Sequence, residues 1–289
     1  MTRYTVVRTE DALEAIELVD HDAEARVRVA PERGGMVTRF TVANEPVLFM
    51  DDATLRDPTK SVRGGIPLLL PIAGRLLGDE YAVGAQRHAM KQHGFARTLP
   101  WALRGLDADD RGARVTLELT PTELTREQYP FEWVFQVEYR LREGALTLAL
   151  TVENRGDVPL PVHPGTHPYL YLPDARKPDA RLDLRATRAW NNLSRCEEKV
   201  APAVDLAVDE LDLHALDHDG TDTTLTRPGL RTVTLDWSAN HTTLVLWTLK
   251  GRDFVCVEPW SAPGGAFNRG DAPVVAPGER STWTQTLRA

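Results

Sequence analysis

Apolar and polar side chains alternate with a period of two along this chain from end to end, punctuated by glycine and proline turns, while helical periodicity is scarce. Side chains repeating every second residue share one buried face only in a strand. The pattern therefore commits the chain to an all-β fold, a large antiparallel β-sandwich with few short helices. Val27 and Val29 alternate with arginines before the turn Pro31-Glu32-Arg33-Gly34-Gly35; Met36 to Val42 returns as hairpin partner, broken by Asn44-Glu45-Pro46. Val115, Leu117 and Leu119 form another apolar face. Trp133, Phe135, Val137, Tyr139 and Leu141 line a long strand that turns at Arg142-Glu143-Gly144 into Leu146, Leu148, Leu150 and Val152. The habit continues through Val233, Leu235 and Trp237, then Leu244 and Leu246, Phe254 to Val257, and a last strand around Trp283.

Nothing in the chain divides it. Its 289 residues suit one large β domain or two ordinary ones, but no linker or compositional shift separates them, so one sandwich domain over residues 1–289 is expected. A net charge of -8 argues against a general nucleic-acid binder, which needs clustered Lys and Arg. Cys196 and Cys256 are too few and too far apart for a disulfide framework or a zinc site of cysteines. The N-terminal stretch is acidic without an apolar core of signal-peptide length, and no later run approaches a membrane span. A cytoplasmic protein with no membrane partner is the expectation. From Asp174 to Asp222 no period is evident, and an irregular, acidic surface stretch is expected there. His214 and His218, four apart, would bind metal only if that stretch were helical.

Four segments concentrate chemistry. In His163-Pro164-Gly165-Thr166-His167-Pro168-Tyr169-Leu170-Tyr171-Leu172 the prolines exclude a regular helix and bias His163 and His167 towards extended backbone. A stiffly held imidazole suits a proton donor working near neutrality; a loop histidine bonding only backbone is the plain alternative. The same prolines forbid the helix that a two-histidine zinc site at this spacing requires, so no metal is assigned. Ser61 to Arg75 carries glycines that permit close backbone approach, with Arg63 placed to reach a ligand and Leu68 to Leu70 as a buried apolar strand. Lys91-Gln92-His93-Gly94-Phe95-Ala96-Arg97 offers several donors, suiting a hydroxyl-rich or anionic ligand or else an exposed hairpin tip. In the strand Phe254 to Ser261, Phe254, Cys256 and Glu258 face one way and Val255 and Val257 the other. Burial would raise the Glu258 pKa towards that of a useful base; an edge glutamate paired with an arginine is the alternative. Trp260 is either a sugar-stacking face or a core residue.

Taken in order, Arg63-Gly-Gly-Ile-Pro, Gln92-His-Gly-Phe-Ala-Arg97-x3-Trp101, Gly165-x-His-Pro-Tyr and Val257-Glu-Pro-Trp260 resemble the aldose 1-epimerase (mutarotase) family, most of all its hexose 6-phosphate branch. The resemblance runs from about Val27 to the strand at Trp283 and implies a galactose mutarotase-like sandwich with a sugar cleft on a concave face. It implies His167 as general acid at the ring oxygen, Glu258 as general base at the C1 hydroxyl, and His93 assisting. Arg63, Gln92 and Arg97 match substrate-contacting positions, and Asp209 loosely matches an acidic residue that binds sugar hydroxyls. No cofactor is implied, the partner is a small sugar or sugar phosphate, and a monomer or homodimer is compatible. The chain departs from the branch at Leu68 to Ala73, where tryptophans are usual, and at Thr166, where an aromatic residue is common. A carbohydrate-binding protein without catalysis is the reading from another class.

Overall fold

A computed structural model describes residues 2–10, 13–201 and 203–289. Among these, the alternating segments pair into three larger antiparallel sheets. The first takes its strands in chain order: Tyr4–Glu10, Glu14–Asp20, Ala25–Ala30, Met36–Val42 and Glu45–Pro46. The second has eight strands and is centred on Trp133–Arg142, Ala145–Asn154 and Arg280–Arg288. Its register places Phe135 opposite Val152 and Val137 opposite Leu150, so the apolar faces of neighbouring strands coincide. The third runs Cys196–Lys199, Arg188–Asn191, Glu210–Ala215, Thr243–Leu249, Phe254–Trp260, Gly165–Thr166 and Leu68–Leu69, with Tyr169–Tyr171 also paired to Phe254–Trp260. The helices are short; Asp52–Arg56, Glu123–Gln128 and Ala266–Arg269 are the α-helical ones among the described residues, and none is long and apolar enough to cross a membrane.

Every strand anticipated from the alternation forms. The Asp174 to Asp222 stretch does not stay irregular: Arg188–Asn191, Cys196–Lys199 and Glu210–Ala215 extend the third sheet. These strands of four to six residues are too short to display a period, and pairing with Thr243–Leu249 organises them instead. His214 therefore lies on a strand and the helical spacing to His218 never arises. Lys91 to Arg97 is not an exposed tip either, since His93, Gly94, Phe95 and Ala96 are buried. Arg227 clasps sheets together: fully buried, it donates to the Pro46, Tyr171 and Arg231 carbonyls and pairs with Glu45 at 3.1 Å.

Candidate active site

Phe254–Trp260 is buried along its whole length, yet its two faces serve different neighbours. Val255 and Val257 join the main core between sheets, whereas Phe254 and Cys256 pack with Tyr169, and Trp260 with Leu69, Ala73 and Val245. Glu258 shares the second face by strand parity. Its carboxylate is 2% exposed, with Oε1 3.2 Å from His167 Nε2 and Oε2 accepting the Trp260 indole N–H at 3.2 Å. Trp260 is thus a buried wall. Gly165 and Gly74 make room for it, because a Cβ at either would lie within 3 Å of the indole.

His167 sits between two short strands, its backbone N–H bonded to the Pro67 carbonyl and its ring stacked on Tyr169 at 4.6 Å. Behind it, Thr166 accepts a hydrogen bond from Gln285 of the second sheet. His93 adopts a left-handed φ of 67°, uncommon for a residue with a side chain. The conformation lets His93 and Gly74 exchange two bonds: the His93 N–H donates to the Gly74 carbonyl, and the Gly74 N–H donates to His93 Nδ1. With Nδ1 accepting, the neutral ring carries its proton on Nε2. The His93 and His167 rings meet edge to face at 5.7 Å. Gly94 then passes so close to Leu70 that a Cβ would stand 2.1 Å from its carbonyl oxygen. His163 stands behind the Trp260 wall, its ring meeting the indole edge to face at 6.0 Å and its Nε2 2.6 Å from the Ala262 carbonyl.

Burial dominates the electrostatics. Desolvation pushes the His167 imidazole down to about 3, helped by the Arg97 charge, and holds His93 well below its ordinary range. It pushes Glu258 well up, Asp212 adding to the effect while the Trp260 hydrogen bond opposes it. A buried carboxyl and imidazole in contact behave as one titrating unit. When the unit holds one proton, burial favours its uncharged arrangement, carboxylic acid beside neutral imidazole, over the ion pair.

The structure brings Arg63, Gln92 and Arg97 to this ground. Arg63 lies over the Trp247 ring at 5.7 Å, and its charge is felt at His167. Gln92 approaches His93 Nε2 at 3.2 Å, and Arg97 donates to the Gln92 carbonyl at 3.0 Å. Asp209 is not brought in: its side chain is 88% exposed and paired with Lys250. Asp212 is the nearby carboxylate, held by Asn192 at 2.8 Å and acting on both His167 and Glu258. Sequence reasoning also missed Trp247, which meets the His167 ring at 5.9 Å, and His214, edge-on to Trp260 at 5.2 Å. The alternation Asp212, His214 against Val245, Trp247 was the available signal, since partners in register share a face.

A sandwich carrying a buried carboxylate and imidazole in contact on one sheet face defines a mutarotase-like fold, and comparison with known proteins agrees. Residues 17–288 match the family model described as Aldose 1-epimerase, and the chain belongs to that family. The Slr1438 protein of Synechocystis sp. PCC 6803 superposes with a TM-score of 0.93 at 32% identity, covering 99% of this chain and 98% of that one. Galactose 1-epimerase of Lactobacillus acidophilus NCFM shares the fold, with a TM-score of 0.78 at 18% identity over 100% and 98% of the two chains. A Salmonella typhimurium protein named "Putative glucose-6-phosphate 1-epimerase" is 29% identical over 140 residues, 48% of this chain and 43% of the relative. That match spans less than half of the curated relative's length.

Proposed function

We propose that the protein interconverts the α and β anomers of an aldohexose or hexose 6-phosphate, with Glu258 as base at the C1 hydroxyl, His167 as acid at the ring oxygen and His93 assisting there. The carrying observation is the buried contact of 3.2 Å between His167 Nε2 and Glu258 Oε1. Ring opening moves the C1 hydroxyl proton to Glu258 and the His167 proton to the ring oxygen. It turns a charged pair, carboxylate and imidazolium, into an uncharged one. The unit rests uncharged, so the Glu258 proton first passes to His167 across their 3.2 Å contact, and burial then favours the two transfers that restore the uncharged pair. Rotation about C1–C2 and the reverse transfers close the ring on its other face, and both protons return. Positioned acid and base account for such chemistry without a cofactor.

Arg63 and Arg97, at the edge of the same face, suit either a 6-phosphate or sugar hydroxyls. The test is NMR magnetisation exchange between anomeric protons of glucose, galactose and glucose 6-phosphate with and without protein. Acceleration for the phosphate alone gives the arginines an anion-binding role, and acceleration for free sugars makes them hydroxyl contacts. Sugar binding with no acceleration for any hexose would replace catalysis by the carbohydrate-binding reading.

A further inference from the structure

Cys256 is a thiol on the site face that the proposed chemistry does not use. Its thiol is completely buried, packed with Tyr169 and Phe254 two residues before Glu258 on the same strand face. A buried thiol packs as a small apolar residue, so any further reason for sulfur has to come from its neighbours. The neighbours give one: a His167 ring nitrogen, the Cys256 Sγ and a Glu258 carboxylate oxygen all lie within 4.8 Å of one another.

We propose that His167, Cys256 and Glu258 form an inhibitory site for a thiophilic divalent cation of the zinc class. One imidazole, one sulfur and one carboxylate make a zinc-type donor set, and three protein ligands leave a fourth position for water. Tetrahedral zinc with these donors has ligand-to-ligand edges of about 3.3–3.6 Å. His167 Nε2 and Glu258 Oε1, at 3.2 Å, already span one such edge. The sulfur lies within 4.8 Å of both, so a side-chain torsion that brings it nearer completes the set. The entering cation displaces the protons that burial keeps on the Cys256 thiol and the Glu258 carboxyl, releasing both to solvent, and the resulting thiolate and carboxylate together neutralise its two charges. Arg63 and Arg97 act on the same ground and oppose it, so the site binds a dication more weakly than the same three ligands would without them. A bound cation occupies the lone pairs of both proposed proton-transfer groups, and turnover stops. That inhibition rests on the proposed function; capture of the cation does not.

The experiment titrates Co²⁺ alone into the purified protein and reads its absorption, then adds Zn²⁺ to anomer exchange. We expect one equivalent of Co²⁺ to produce a sulfur-to-cobalt charge-transfer band and the intense visible bands of a four-coordinate ion. Cys256→Ala, which keeps a small apolar side chain, should abolish the charge-transfer band, keep the fold and anomer exchange, and lose sensitivity to micromolar Zn²⁺. Absence of a thiolate band at saturating Co²⁺ would overturn the proposal, as would equal Zn²⁺ inhibition of parent and variant. A thiolate band in a protein that accelerates no sugar would uphold the metal site while removing the mutarotase reading.

Discussion

Trp260 donates its indole N–H to Glu258 Oε2 at 3.2 Å, leaving Oε1 to face His167. The wall of the site thereby decides which carboxylate oxygen is free. Trp260→Phe keeps a flat ring and deletes the donor. A hydrogen bond to a charged group is worth about 1.5–3 kcal/mol, so kcat for anomer exchange should fall about 10- to 100-fold with KM little changed. An unchanged kcat would release Glu258 from control by Trp260.

Removing either proton-transfer group should cost more. His167→Asn and Glu258→Gln should each lower kcat by at least about 10²–10⁴-fold without loss of fold. Glu258→Gln should unfold at no lower temperature than the parent, because it deletes a carboxyl that burial already disfavours in its charged form. Full activity in both variants would refute the assignment.

In the proposed mechanism turnover needs one proton on the His167–Glu258 unit, and burial widens the pH range over which that proton count holds. A second proton enters only far below the usual imidazole range, since His167 is pushed down to about 3, and the first leaves late because Glu258 is pushed up. The profile of kcat should therefore be flat through pH 6.5, the ordinary imidazole midpoint of about 6.5 leaving no inflection. An acid limb centred there would mean that the unit is not buried during turnover.

Stability should depend on pH differently. Burial lowers His163 and His241 to about 4. In the unfolded chain both take up protons from about pH 6.5 downwards, while the fold refuses them until about 4. Stability is thus complete above the unfolded value and declines between the two, by about 3 kcal/mol per imidazole before levelling off. Urea unfolding at pH 7 and pH 4.5 measures the slope, which His241→Gln should reduce.

Asp212 and Asp209 offer a clean contrast. Asp212→Asn should raise KM several-fold, since its charge reaches the pair, while Asp209→Asn, exposed beside Lys250, should leave kcat and KM alone. Equal effects would show that the side-chain positions described for this strand are wrong.

The same contrast marks how far the sequence was legible. Long strands such as Trp133–Arg142 display both faces several times over, so their alternation names the core without ambiguity. Glu210–Ala215 is short and charged, so no alternation marks its inward face, and the loose family match at Asp209 could not be checked against Asp212, which the pairing with Thr243–Leu249 turns to the site face. The extended backbone at His167 and the face that Glu258 shares with Cys256 were legible because proline stiffness and strand parity act locally. The left-handed backbone of His93 and the wall role of Trp260 depend on Gly74, which is distant in sequence from Trp260, and no local pattern records that.

Three segments far apart in the chain supply the three proposed reacting side chains: His93, His167 and Glu258, with Thr166 tied across to Gln285. Contacts of such long sequence separation are slow to close. Anomer exchange therefore reports on tertiary assembly and not on strand content: during refolding it must trail the β-sheet signal, however early the local hairpins form.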